Sequence, residues 1–470
     1  MKKYIMTLGA MAFAAASFSQ SAYDALNYNQ LDPVMGTARY SAMAGAFGAL
    51  GGNPSVTKDN PAGIGVYKRC DLTFSPNVYV DNTKDAHACL NNFAFVINFR
   101  EHEAESGYIT SSLGISYNRL RNFNRYSSTK SYDYSGLSLT DYMCKEAAPD
   151  YIFNEANEMG LISDEGSSEF YSRFDRRDNF DKQTRYTESG HVGQWDISYG
   201  MNISNRVYLG AALGISVLDY KQKALYDESS VNSQIGSYYL DNYYDVDGVG
   251  VNFKLGAIVK PVDFMRIGLA IHTRTLYDIF ETYSVDFDYN DQYSNQPEVD
   301  HGECSYKLKT PFKMQGSLGF VIANKALIGL EYNLDNYSAM RMSDYDGDLV
   351  AQNDQMKEEF NAVHTFKLGA EYKVIDEFSL RAGFAFMTSP IDYDKNLGEE
   401  LYLFRPLSLP QQTHYITGGA GYEGDKFYCD LAYVFRNQKA NFYGMLPQDE
   451  TASSLNLKNH NIIATIGWRF

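Results

Sequence analysis

The last nine residues of the chain constrain its fold more than any other stretch. Phe470, Trp468, Ile466, Ala464 and Ile462 fall on one face of an extended backbone, and Arg469, Gly467 and Thr465 on the other. Only a strand separates two such sets, because successive side chains point to opposite sides. The pattern recurs upstream. Phe427, Cys429, Leu431, Tyr433 and Phe435 alternate with Tyr428, Asp430, Ala432, Val434 and Arg436. Met265, Ile267, Leu269 and Ile271 alternate with Arg266, Gly268, Ala270 and His272, and residues 378–386 behave alike. A soluble sandwich also shows one apolar face per strand. It does not favour strands of this length that close on an aromatic terminal residue.

The N-terminus sets the compartment. Lys2 and Lys3 precede the apolar run Ile5–Ala16, and Ser17-Phe18-Ser19 makes a small-x-small site. These are the parts of a secretory signal peptide over residues 1–19, with the mature chain starting at Gln20. No other apolar run is long enough for a membrane helix. The 39 Tyr and 28 Phe suit strands with aromatic girdles. The expectation is therefore an all-β fold: a transmembrane antiparallel β-barrel in the outer membrane of a Gram-negative type bacterium.

Segments with this alternation number about fourteen, at 71–81, 92–100, 111–127, 183–203, 206–225, 241–261, 263–290, 303–323, 325–342, 362–374, 377–388, 412–424, 426–440 and 455–470. Asn205, 261–263, Asn324, 374–377 and Gly424-Asp425 mark tight turns between them. Long polar segments lie at the other ends, the longest over about 122–184. Short turns on one side and long loops on the other are the rhythm of an outer-membrane barrel. The sheet has to close, since an open edge leaves backbone groups unpaired in lipid. A barrel this wide is not filled by its own side chains. It holds water, a plug, or both.

Residues 20–70 do not read as strands. Small residues crowd the run from Gly36 to Gly52, and Asn53-Pro54 and Asn60-Pro61-Ala62-Gly63 force turns. Such a segment fits the inside of a barrel; the alternative is a periplasmic tail. Residues 71–470 would be the barrel itself.

Several functions are disfavoured. A net charge of −17 argues against nucleic acid. The five cysteines, odd in number, follow no CxxC spacing, although Cys144 and Cys304 both fall in outer loops and could pair. Asp344, Asp346 and Asp348 are spaced like a calcium loop, but Leu349 stands where Gly is needed and Gln355 where Glu is needed. Neither a metal nor any other cofactor is assigned. No HExxH, GxSxG or P-loop occurs, so an enzyme is not expected.

The run Gly36-Thr37-Ala38-Arg39-Tyr40-Ser41-Ala42-Met43-Ala44-Gly45-Ala46-Phe47-Gly48-Ala49-Leu50-Gly51-Gly52-Asn53, followed by Asp59-Asn60-Pro61-Ala62-Gly63-Ile64-Gly65-Val66-Tyr67, resembles the FadL/TodX family of outer-membrane transporters for long-chain fatty acids and hydrocarbons. The close likeness covers about residues 36–75. It implies a fourteen-stranded barrel plugged by an N-terminal hatch, in which Asn60, Pro61, Ala62 and Gly63 are the hatch motif. It further implies passive transport: capture of a hydrophobic ligand outside, binding in the lumen, and release by hatch movement or a lateral opening in the wall. The family seats ligand beside the hatch, and here Arg266, Arg274, Arg381 and Arg436 are candidate lumen contacts for a ligand carboxylate. Equally, they could form salt bridges with Asp430, Glu331 or Glu371. Leu139, Tyr142, Met143, Ile152 and Phe153, in a helical stretch of the longest loop, are a candidate capture groove, or else a helix packed on the rim. Other partners expected are outer-membrane lipid, lipopolysaccharide and the barrel assembly machinery, with the chain a monomer. A general porin for polar solutes and a surface adhesin are the competing functions. Fifty plug-like residues ahead of the first strand weigh against the porin.

Overall fold

A computed structural model describes residues 21–81, 85–100, 106–133, 137–145, 150–164, 170–174, 179–230, 237–289, 300–323, 325–393, 407–443 and 453–470. The signal peptide expected over residues 1–19 lies outside these. The chain forms one closed antiparallel barrel of fourteen strands. In chain order they are β1 (Asp71–Val80), β2 (Ala86–Arg100), β3 (Tyr108–Asn122, resumed at Arg125–Asp133), β4 (Phe180–Ile203), β5 (Val207–Ser230), β6 (Ser237–Val262), β7 (Met265–His272 and Leu276–Tyr289), β8 (Asp300–Lys309 and Lys313–Ile322), β9 (Ala326–Asn336, resumed at Arg341–Ser343), β10 (Ala362–Lys373), β11 (Phe378–Met387), β12 (Leu407–Glu423), β13 (Phe427–Tyr443) and β14 (Ser453–Arg469). Each pairs with the next, and β14 returns to β1 from Asp71↔Arg469 to Val80↔His460. Cys70 and Phe470 exchange backbone hydrogen bonds at this seam, and the Phe470 ring stacks near Phe95.

The alternation works as expected. Leu72, Phe74 and Val78 on β1, Val249, Val251, Phe253 and Leu255 on β6, and Ile462, Ile466 and Trp468 on β14 face outward. Their neighbours in sequence face a buried, polar lumen that includes Thr73, Ser75, Asn77, Asn252, Lys254 and Thr465. No helix among the described residues is long and apolar enough to cross a membrane. A strand needs about 9–11 residues to cross, so β4, β5 and β6, with 24, 24 and 26 residues, stand well clear of the outer surface.

Four of the segments read as unbroken are interrupted: β3 at 123–124 and β9 at 337–340, where their outer pieces resume, and β7 and β8 as follows. The segments 263–290 and 303–323 read as unbroken, yet β7 is interrupted at 273–275 and β8 at 310–312. Pro311 is the local cause on β8, since it offers no ladder N–H. Each interruption inverts the faces. Ala270 and His272 point inward below it on β7, but Tyr277 and Ile279 above it; on β8 Gln315 and Ser317 give way to Leu308 and Tyr306. Thr275 and Thr310 bond across the gap (Thr310 N to Thr275 O 3.0 Å, Thr275 N to Thr310 Oγ1 2.8 Å). Between His272 and Leu276 β7 advances four residues where the unbroken β6 advances three, from Lys254 to Val251, so the extra residue keeps the inward faces matched.

The outer loops carry α-helices as well. The described part of the longest loop holds two short helices, Leu139–Lys145 and Asp150–Glu158. All five cysteines are free, so the suggested Cys144–Cys304 pair does not form. The two belong to separate apolar clusters, Cys144 on the first of these loop helices and Cys304 on β8, where its Sγ approaches Glu281. The Asp344 carboxylate accepts the Asp346 and Gly347 N–H groups of its own turn.

Candidate functional site: the plug and the lumen around it

Residues 21–70 fold inside the barrel. Helix α1 (Ala22–Asn29) is capped by Ser21 and helix α2 (Ala38–Ala42) by Thr37. Two 3-10 turns follow, Pro54–Lys58 and Pro61–Val66. Each begins the same way: an Asn side chain accepts an N–H two residues on (Asn53 from Ser55, 2.9 Å; Asn60 from Ala62, 3.1 Å), and Pro occupies the first position, where no N–H is needed. The stretch from Asn53 to Asp59 is thus a second copy of the Asn-Pro turn. The Asn60 amide donates to Gly48 O within the plug (2.7 Å) and reaches Ala257 O on β6 (3.4 Å). Pro61, Ala62 and Gly63 are buried in the same turn.

Backbone-to-wall packing of this kind needs a wall without side chains. Two ladders of directly opposed glycines supply it. Gly200, Gly210 and Gly256 lie side by side on β4, β5 and β6. Gly319, Gly329, Gly369 and Gly383 do so on β8 to β11. A Cβ on Gly210 would strike Pro61 and Ala62, on Gly256 the Asn60 amide, on Gly329 the Ala46 carbonyl, and on Gly369 the Met43 carbonyl. The small-residue run of the plug therefore meets a glycine girdle in the wall. Sequence reading saw the first but not the second, because register is invisible in one strand at a time.

Charges lock the two surfaces together. Arg39 of α2 grips Glu371 on β10 (2.7 Å), which also pairs with Arg381 (2.5 Å), itself bonded to Asp430 (2.5 Å). A second cluster joins Asp59 to Tyr40 and, at 3.6 Å, to Lys367, which pairs with Glu331 at 2.8 Å. Glu331 also accepts the Gly48 N–H (3.0 Å). Burial acts against the Asp59 carboxylate, but Lys367, Lys58 and Lys313 hold its pKa below the ordinary carboxylate value. Burial pushes the Lys58 ammonium, which lies over the Tyr40 ring, down to about 8.

The four arginines singled out from sequence fall in different places. Arg381 belongs to the Glu371–Asp430 network, Arg266 donates to Leu50 O of the plug, and Arg436 pairs with Asp32 of the plug at 3.3 Å. Arg274 is half-buried at the interruption of β7. The loop residues fall together. Leu139 and Met143 are fully buried against Phe174, Phe180, Tyr226, Tyr238 and Leu240, with Tyr142 and Phe153 partly buried beside them. The Ile152 side chain lies outside the described residues.

The outer half of the lumen is a chamber lined mostly by apolar and tyrosine side chains, with the buried Glu188, Glu281 and Glu359 carboxylates accepting from Tyr220, Tyr306 and Tyr23. Tyr220, Tyr244, Tyr277, Tyr306, Leu308, Met340, Met342, Met356 and Phe360 surround α1, whose Ala22, Tyr23, Ala25, Leu26 and Tyr28 fill it. Beneath α1 is a cavity of about 110 Å³ bordered by Lys58, Asp59, Lys254, His272, Lys313 and Asp335, and by Thr273, Thr275 and Thr310 at the wall interruption. Neither feature was evident from sequence, since the chamber draws single residues from many strands.

A sealed, outward-apolar barrel with an internal plug defines a class, the plugged outer-membrane barrel. Its family follows from comparison. Residues 193–426 match the model of the family described as outer membrane protein transport protein (OMPP1/FadL/TodX). The chain belongs to that family, one of outer-membrane transport proteins and not of enzymes. The matched residues are wall; the motif at 36–75 lies outside them. Solved structures share the fold over nearly the whole chain. A Pseudomonas aeruginosa FadL homologue aligns with a TM-score of 0.56 at 11% identity, covering 93% of this chain and 98% of its own. The CymD monoaromatic hydrocarbon channel gives 0.53 at 11% over 93% and 98%. The P. putida toluene transporter TodX gives 0.52 at 13% over 93% and 99%. A comparison with curated protein sequences finds no match.

Proposed function

We propose that this protein carries small hydrophobic molecules, of the long-chain fatty acid or hydrocarbon class, passively across the outer membrane. The observation that carries the reading is the apolar chamber in the outer half of the lumen, closed below by the plug. A channel for polar solutes has no use for such a chamber. An apolar solute leaving water for it gains about 25 cal/mol per Å² of surface buried. The relatives described as toluene and monoaromatic hydrocarbon channels support the same chemistry.

In this reading ligand is gathered at the loop cluster of Leu139, Tyr142, Met143, Ile152 and Phe153. It then takes the place of α1 in the chamber, whose contacts are those of a bound apolar ligand. Release follows plug movement, with Asn60-Pro61-Ala62-Gly63 as the turn that unseats, or a lateral opening at the interruption of β7 and β8. That interruption lies within the apolar band: Ile271 below it and Leu276 above it both face outward. Arg274, beside it, is the arginine best placed to meet a ligand carboxylate. Each barrel works alone, inserted by the barrel assembly machinery into lipid and lipopolysaccharide.

Uptake of labelled oleate and toluene by cells whose own carriers are deleted tests the function. Expression of the chain should raise uptake of at least one severalfold. Entry of sugars or ions with no gain for either apolar probe would replace the reading with a polar channel.

A further inference from the structure

We infer, on the reading that ligand takes the place of α1, that the chamber selects neutral phenols over aromatic hydrocarbons of the same shape. What α1 places there shows what the chamber accepts. The helix contributes two large aromatic side chains, Tyr23 and Tyr28, both buried. Each is held in two ways at once. The Tyr23 ring meets the Phe360 ring edge-on, with centroids 5.6 Å apart and planes at 63°, and its hydroxyl donates to the buried Glu359 carboxylate. The Tyr28 ring lies 5.2 Å from that of Tyr220 at 60°, and its hydroxyl reaches the Tyr244 oxygen at 3.4 Å. Glu359 and Phe360 are neighbours in sequence, at the end of the outer-loop helix Val350–Glu359. One bend of chain therefore supplies both the ring contact and the acceptor.

A slot of this kind reads the hydroxyl. Edge-on ring contact is open to any aromatic ligand, but a buried phenol O–H needs a partner and a buried carboxylate needs donors. The wall uses the same pairing for its own tyrosines: Tyr306 donates to Glu281, and Tyr186 and Tyr220 donate to Glu188 at 2.6 Å and 2.7 Å. At Glu359 the phenol belongs to the plug and leaves with it. Gln355 also donates to this carboxylate, at 3.4 Å. A phenol entering the vacated slot remakes the hydrogen bond of Tyr23, whereas toluene fills the ring space and leaves that bond unmade. A site built to hydrogen-bond a hydroxyl disfavours the analogue that lacks it, because the site's own polar group then goes short of a partner. Phenolate would set a second negative charge against Glu359, so the neutral form is the one that fits.

The probes are p-cresol and toluene, the Tyr and Phe side chains as free molecules, which differ by one hydroxyl. The full chain folded into phosphatidylcholine nanodiscs is titrated with each, and hydrogen exchange of the α1 amides, residues 22–29, reports displacement of the helix. p-Cresol should release α1 at a free concentration about ten- to a hundredfold below that of toluene, the range set by one hydrogen bond to a charged acceptor. Glu359→Leu should remove most of that preference. Glu359→Gln should lose about half of it on a logarithmic scale, and serves if the leucine variant does not fold by heat-modifiable gel mobility. Tyr23→Phe should release α1 more readily to both probes and leave the preference unchanged. Release by both probes at equal free concentrations overturns the inference and leaves the transport reading standing. So does undiminished preference in a folded Glu359 variant. Release by neither probe overturns the displacement of α1 as well.

Discussion

The glycine girdle makes the plug's seating measurable. A Cβ built on Gly383 would lie 2.6 Å from both Ala44 N and Met43 C, whereas ordinary contact begins near 3.4 Å. Both atoms are plug backbone, with no flexible side chain to swing away. The plug must therefore retreat from β11 by roughly 0.8 Å, and overpacking of this kind costs about 1–3 kcal/mol. The wall meets the new Cβ at Thr417 Oγ1 on β12, also 2.6 Å away, but its ladder hydrogen bonds run between strands and do not involve the plug. Gly383→Ala should thus loosen the plug by about five- to 150-fold in its local opening equilibrium while the barrel stays folded. Hydrogen exchange of the amides of residues 37–66 reads the opening, and heat-modifiable mobility reads the barrel. Gly418→Ala is the control: its Cβ meets only Arg381 O, at 3.7 Å. Gly369→Ala strikes the same Met43, so its effect should combine with Gly383→Ala less than additively. Unchanged plug protection in a folded Gly383→Ala barrel would refute the seating argument.

Other changes probe the same joint. Asn60→Ala with Pro61→Ala removes the cap and the preset φ of the second turn; it should weaken the plug by about 1–2 kcal/mol and alter uptake, and unchanged uptake in a folded barrel would remove the hatch role. Glu371→Gln leaves Arg39 and Arg381 buried with half their partner and should cost about 3–5 kcal/mol of plug or barrel stability, seen as a lower temperature of heat modification. Seating should also depend on pH at both ends. Burial puts the Lys58 pKa at about 8, below its ordinary 10.5, so unseated plug binds more protons between those values and the seated form gains stability as pH rises through them. Lys58→Met should abolish that alkaline gain. Asp59 is held below its ordinary 3.8, so the stability it lends is present above that value and is lost as pH falls through its lowered pKa. Exchange protection of the plug across pH 2–11 reads both limbs, and a flat profile would contradict them.

How much of this was legible beforehand depends on how local each feature is. A strand announces itself every second residue, and a barrel in lipid must show apolar side chains at that spacing. Alternation, turn residues and the terminal Phe470 therefore carried the fold, the strand number and the compartment. The Asn-Pro turns and the small-residue run were equally local, and they marked residues 20–70 as something other than strand. Nothing local marks the girdle. Gly210 and Gly256 are 46 positions apart and meet only because β5 and β6 pair in one register. The same holds for Lys367 with Asp59 and for the tyrosines and methionines that surround α1. The inverted faces of β7 and β8 were also hidden, since the breaks show only in how these strands pair with their neighbours. Sequence alone determined that this chain is a membrane barrel preceded by a segment that is not strand. Only the tertiary structure decided where that segment sits and what holds it, because those contacts join residues that no single strand brings together.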